Sequence, residues 1–151
     1  MKILITGGCG FVGSNIAIFL KKKLKNADIF SVDNLFRDGS TINKQRLKKY
    51  GIKNFNYDVR NYKKIRSLKK CNLIIDCCAE PAIEVSSKDP DRVFNTNLVG
   101  TFNLMKKSKI DKANMIFLSS SRVYSIQNLR LLFKNLNIKK PLKKIIKINE
   151  N

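Results

Sequence analysis

Residues 2–15, KILITGGCGFVGSN, set glycines at 7, 8, 10 and 13 between a short apolar run and the start of an amphipathic one. Gly8, Gly10 and Gly13 fit G-x-G-x-x-G, and Gly7, Gly10 and Gly13 fit G-x-x-G-x-x-G. In either register one glycine makes a tight turn, one lets backbone approach a phosphate, and Gly13 lets a helix start close against a strand. The N–H groups at the start of such a helix, together with its dipole, favour a bound diphosphate. Asp33 lies twenty positions beyond Gly13, at the end of a second apolar run, ADIFSVD. A carboxylate at the tip of a second strand accepts hydrogen bonds from ribose hydroxyls and repels a 2′-phosphate, so the two signals together point to NAD over NADP. Arg37, in the loop that follows, weakens that exclusion. The alternative is that Asp33 only opens the loop DNLFRDGS, as Asp and Asn often do.

A second group of chemically able side chains lies farther on. Ser119, Ser120 and Ser121 follow a fifth apolar run and precede Tyr124. Hydroxyls just past the carboxyl end of a strand sit where open α/β sheets bind ligands. Metal chemistry is not expected, because Cys9, Cys71, Cys77 and Cys78 lack ligand spacing and the chain has no histidine. Cys77 and Cys78 read as small hydrophobes within an apolar strand.

The elements that must position these groups alternate along the chain. Strands are expected at Lys2–Thr6, Asp28–Asp33, Asn54–Tyr57, Leu73–Cys77 and Met115–Ser119. Helices are expected at Phe11–Lys25, Thr41–Tyr50, Tyr62–Lys69 and Asp91–Lys109. Val12, Ile16, Phe19, Leu20 and Lys23 space out as the inner face of the first helix. Val93, Asn97, Leu98, Thr101, Leu104 and Met105 do the same for the last. Strands alternating with helices imply parallel βαβ units, and runs this apolar belong in a sheet covered on both faces. The fold class is therefore α/β, a Rossmann-type doubly wound parallel sheet, truncated after about five strands. Residues 1–125 are expected to form this incomplete NAD-binding domain, and 126–151 a basic tail of uncertain structure.

The 151 residues carry 31 Lys or Arg against 11 Asp or Glu, a formal charge of +20. Nucleic-acid or anionic-surface binding is one reading of that excess. Against it, the lysines are dispersed and accompany many Asn and Ile, as compositional drift would produce. No apolar run is long enough to span a bilayer and no signal sequence opens the chain, so a cytoplasmic location without membrane partners is expected.

Six collinear segments, TGGCGFVGSN, VDNLFRDG, YDVRN, IDCCAEPA, DPDRVFNTNLVGTFNLM and FLSSSRVYS, carry a family likeness. Through them the chain resembles the N-terminal part of extended short-chain dehydrogenases/reductases, in the NAD-dependent epimerase/dehydratase family of nucleotide-sugar enzymes. Within that family, the combination of TGGCGFVGSN, AEPAIEVSSKDP and SSSRVYSI is most similar to the CDP-paratose 2-epimerases. The resemblance implies that Gly7, Gly10, Phe11, Val12 and Gly13 hold the pyrophosphate of NAD, and that Asp33 and Asn34 take the adenosine ribose. It implies that Asp58 and Val59 flank the adenine, and that Cys78, Ala79 and Glu80 line the cofactor after the fourth strand. Glu80 departs from the usual glutamine there and is unfavourable near phosphates unless paired with a lysine. Asn97 matches a family asparagine, with a purely structural hydrogen bond as its alternative. Ser120 matches the catalytic serine or threonine that binds the reacting sugar hydroxyl. The family's acid/base pair, Tyr-x-x-x-Lys, has no counterpart in these 151 residues, since Tyr124 is followed four positions later by Asn128. The expectation is thus a fragment of a CDP-sugar or other nucleotide-sugar epimerase, inactive alone. The alternative is a non-catalytic NAD- or nucleotide-binding module that complements a second polypeptide or a second copy of itself.

Overall fold

The computed structural model describes residues 1–81 and 83–119, residues 83, 84 and 86 by their backbone alone. Residues 1–118 pack as one unit, and Ser119 onward belongs to another. Five parallel strands form the sheet: β1 (Lys2–Thr6), β2 (Asp28–Val32), β3 (Lys53–Phe55), β4 (Leu73–Asp76) and β5 (Asn114–Phe117). Their order is β3-β2-β1-β4-β5. The chain leaves β1 toward one edge, returns, and resumes at β4 on the other side. This reversal opens a crevice at the carboxyl ends of β1 and β4. The register aligns those ends, with Thr6 opposite both Val32 and Asp76.

β1 shows why this sheet is covered on both faces. Ile3 and Ile5 enter one core with Ala17, Ile18 and Leu47, and Leu4 enters the other with Ile65, Ile74 and Leu104. Successive side chains of a strand point to opposite faces, so a run without polar interruptions requires burial on both. The first core is closed by helices α1 (Phe11–Lys23) and α2 (Ser40–Lys49). The second is closed by α3 (Tyr62–Arg66) and, later in the chain, α6 (Gly100–Asp111). Between them lie α4 (Ile83–Lys88), α5 (Pro90–Phe94) and a π turn, Asn95–Val99. The short helix α4 was not expected from the periodicity.

Two helical faces differ from the sequence reading. In α1 the buried residues are Gly13, Ser14, Ala17 and Ile18, whereas Val12 and Phe19 are exposed. Small residues win this face because the helix lies almost on the backbone of the turn before it. In the last helical stretch Leu98 and Met105 are exposed, and Asn103, Leu104 and Lys107 are buried. The π turn inserts a wider turn into the helix and shifts the phase of every residue after it. Lys107 tolerates burial because its Nζ donates to the Leu68 carbonyl and pairs with Asp111 at 2.8 Å. Cys77 and Cys78 lie just past the end of β4, half-buried in a loop and not within the strand.

Gly13 shows how close α1 approaches. A Cβ built on it would sit 2.3 Å from the Gly7 carbonyl oxygen. Gly13→Ala therefore forces the helix away from the turn and is expected to cost about 1–3 kcal/mol, the usual range for overpacking. Urea denaturation of the variant checks this, and an unchanged midpoint would mean that the packing is looser than described.

Candidate functional site

The turn from β1 to α1 is shaped by backbone geometry. Gly7 has φ +60°, a left-handed conformation that side chains rarely adopt, and a Cβ on it would lie 2.7 Å from the Cys77 carbonyl oxygen in the loop after β4. The Gly10 N–H donates to the Gly7 carbonyl at 3.0 Å, and Ser14 N–H to the Gly10 carbonyl at 3.1 Å. Gly10 thus caps α1 with no side chain of its own over the first turn. The first amides of a helix have no acceptor within it, and no acidic residue occupies this first turn to compete for them. The structure also chooses between the two glycine registers. Gly7, Gly10 and Gly13 line the crevice, whereas Gly8 packs against Ser31 of β2.

Opposite the turn stands Asp33, one residue beyond β2. Its Oδ2 accepts from the Cys9 N–H at 2.9 Å, and its Oδ1 from the Leu35 N–H at 2.8 Å. One carboxylate therefore ties the glycine turn to the loop after β2. Each oxygen keeps a further lone pair that a hydroxyl could use. Glycine turn and carboxylate face one cavity of about 480 Å³ at the carboxyl end of the sheet. Phe11, Val12, Asn34, Val59, Cys78, Ala79 and Glu80 also line it.

Two sequence-predicted residues do not line this cavity, and each has another task. Asn97 clasps the backbone of Glu80: its Oδ1 accepts from the Glu80 N–H at 2.7 Å and its Nδ2 donates to the Glu80 carbonyl at 3.1 Å. The π turn that carries Asn97 brings it to that loop, so its structural reading holds in this geometry. Asp58 accepts from Arg60 Nε at 2.9 Å and Nη2 at 2.6 Å, and from Asn34 Nδ2 at 3.1 Å. Its neighbours Tyr57, Val59 and Arg60 form the wall in its place. Ser120 lies outside the described residues.

The sequence reading missed part of the wall. Phe36, Ser40, Tyr57, Arg60, Cys77 and Pro81 line it, as do Asp89, Arg92 and Thr96. These residues stand on loops, helix ends and short helical turns, where periodicity in a single chain gives no signal. Glu80 receives the cations it needs, but they are arginines. Arg37 reaches its Oε1 at 2.5 Å and Arg92 its Oε2 at 2.6 Å. Beneath the site, Asp76 at the end of β4 accepts from Thr6 Oγ1, the Cys78 N–H and Thr101 Oγ1. That carboxylate fixes the ends of β1 and β4 and the start of the loop.

Burial, followed by the Asp76, Asp33 and Asp58 carboxylates, pushes the Cys78 thiol up to about 12, and burial with Asp76 brings Cys77 to about 11. Both stay protonated and weakly nucleophilic at neutral pH. Among the described residues no group of acids, cysteines or histidines could hold a metal ion. Among them, too, no helix is long and apolar enough to cross a membrane.

Burial alone would raise the Asp58 carboxyl, but hydrogen bonds from the Arg60 side chain and amide, then from Asn34, outweigh it and lower it from 3.8 to about 2. A carboxyl held lower in the folded state than in the unfolded one contributes its full stability above about pH 4 and loses it as pH falls through about 2. The urea midpoint is expected to fall between pH 4 and 2, and less steeply in Asp58→Asn. An equally steep fall in the variant would remove Asp58 from the acid response.

The model of the NAD dependent epimerase/dehydratase family matches residues 3–137. CDP-paratose 2-epimerase of Salmonella typhi is 35% identical over 132 residues, which are 82% of this chain and 38% of that protein. A bifunctional UDP-glucose 4-epimerase and UDP-xylose 4-epimerase of Pisum sativum is 33% identical over 135 residues, 82% of this chain and 37% of that one. Among solved structures, the UDP-Glc/GlcNAc 4-epimerase of Campylobacter jejuni superposes with a TM-score of 0.72 at 28% identity, covering 82% of this chain and 38% of its own. UDP-glucose 4-epimerase of Bifidobacterium longum, solved with NAD+ and UDP, gives 0.71 at 27% identity over 83% of this chain and 38% of its own. The chain thus spans less than half the length of these relatives. The order of its strands, its glycine turn and the reach of the family match agree: the chain belongs to the NAD-dependent epimerase/dehydratase family.

Proposed function

We propose that residues 1–125 hold NAD for a nucleotide-sugar epimerase or dehydratase, with a CDP-sugar as substrate in the manner of CDP-paratose 2-epimerase. The observation that carries this reading is the glycine turn facing Asp33 across one cavity. A Cβ on Gly10 would lie 3.1 Å from the Gly7 carbonyl and crowd the surface where a diphosphate must rest. The residues present therefore fit the cofactor. When bound, NAD supplies a site that takes up and returns a hydride. The turn of Gly7 and Gly10 opens the amides of Phe11, Val12 and Gly13, which hold its diphosphate, and Asp33 with Asn34 accepts from the adenosine ribose. Val59 and the Asp58–Arg60 pair bound the adenine, and Cys78, Ala79 and Glu80 form the wall toward the substrate. Asn97 positions that wall through the backbone of Glu80. Ser120 binds the sugar hydroxyl that reacts, a role supported by the family resemblance of FLSSSRVYS.

The proton-transferring Tyr-x-x-x-Lys is not among the 151 residues. In an assembled enzyme that pair, and the surface that selects the sugar, would come from outside them. The same observation favours a second reading, a module that binds NAD or a nucleotide without turnover and complements another polypeptide or a second copy.

Asp33→Ala is expected to weaken NAD+ binding by about 1–3 kcal/mol, the loss of charge-assisted hydrogen bonds. Isothermal calorimetry on the 151-residue chain measures this, and unchanged affinity would contradict the ribose assignment. With NAD+ and a CDP-sugar the chain alone is expected to give no epimerised product. Turnover that disappears in Ser120→Ala would show that these residues are catalytically sufficient.

A further inference from the structure

Arg37 stands four residues beyond Asp33 in the same loop, on the wall of the same cavity. A guanidinium beside the adenosine ribose is the group that would pair with a 2′-phosphate, through its fork of N–H donors. The structure holds that guanidinium elsewhere. Its Nη2 lies 2.5 Å from Glu80 Oε1, on a carboxylate whose side chain is only 5% exposed. The second oxygen of Glu80 takes Arg92 at 2.6 Å, so one buried acid gathers two arginines from different elements.

Several contacts make this arrangement stiff. Asn97 fixes the Glu80 backbone through both its N–H and its carbonyl. Arg92 also stacks on Phe36, the residue before Arg37, with its guanidinium carbon 3.9 Å from the ring centroid. The loop after β2 is therefore fastened at two adjacent positions, by Arg37 to Glu80 in the loop after β4 and by Phe36 to Arg92 of α5. Moving Arg37 toward the ribose would break a charge-assisted bond to a buried carboxylate, which is costly when nothing replaces it.

We propose that Glu80 sets the choice between NAD and NADP by withholding Arg37 from the ribose 2′-phosphate, in addition to the repulsion from Asp33. This rests on the reading that the adenosine ribose lies at Asp33. Glutamine at this position would leave an uncharged partner that holds a guanidinium less tightly.

The test is calorimetric binding of NAD+ and NADP+ to the 151-residue chain and to Glu80→Gln, Arg37→Ala and the double variant. In Glu80→Gln the affinity for NADP+ relative to NAD+ is expected to rise about tenfold, the scale of one charge-assisted hydrogen bond. In the double variant that rise disappears. Arg37→Ala alone leaves the ratio unchanged, because its guanidinium is already engaged. An unchanged ratio in Glu80→Gln that still binds NAD+, or a rise that survives in the double variant, overturns the proposal. If Glu80→Gln fails to fold, Arg37→Ala still decides: a fall in relative NADP+ affinity there would mean that Arg37 was reaching the phosphate all along. Failure of the unmutated chain to bind NAD+ is a separate result and strikes the underlying reading of the site.

Discussion

The approach of α1 to the turn that precedes it is the constraint on which the site depends. With a Cβ at position 13 only 2.3 Å from the Gly7 carbonyl, no other residue type fits without moving the helix. The helix must begin where β1 ends, so its unpaired amides open over the crevice between β1 and β4. The small inner face of α1, with Ser14 and Ala17, follows from the same closeness. So does the outward turn of Phe11 and Phe19, which are 82% and 58% exposed.

The carboxylates have a matching logic. Only 11 acids occur among 151 residues, and Asp33, Asp58, Asp76 and Glu80 all stand at or just past the carboxyl ends of strands. Each has its charge engaged by named donors. Asp33 takes two backbone N–H groups, Asp76 two hydroxyls and an amide, Asp58 an arginine and an asparagine, and Glu80 two arginines. These acids brace the loops that form the cavity. A large positive field around the molecule also raises the local concentration of anionic ligands, diphosphates included.

Much of this was legible in the sequence because it rests on local rules. Period-two burial on both faces of β1, the glycine spacing and an acid at the end of β2 each have a physical cause that a single chain displays. Strand and helix positions came out within a few residues. The inner faces of α1 and α6 came out in part: Ile16 and Leu20 pack on the first core and Leu104 is buried in the second, whereas Val12, Phe19 and Met105 are exposed. In α1 tight backbone packing favoured small side chains over large apolar ones, and in α6 the π turn at Asn95–Val99 shifted the phase. The cation partners of Glu80 were hidden for another reason: Arg37 and Arg92 lie 43 and 12 residues away and meet only through the fold. The glycine register, open in the sequence, was settled by Gly8 packing on Ser31.

The central claim is that the β1–α1 turn and Asp33 together hold a dinucleotide. An NMR titration of the isotopically labelled chain with NAD+ tests it most directly. The account predicts saturable shifts in the amides of Gly10, Phe11, Val12 and Gly13 and in the loop from Asp33 to Arg37. Shifts absent from that turn, or confined to the lysine-lined groove of Lys44, Lys48 and Lys53 between α2 and β3, would contradict it.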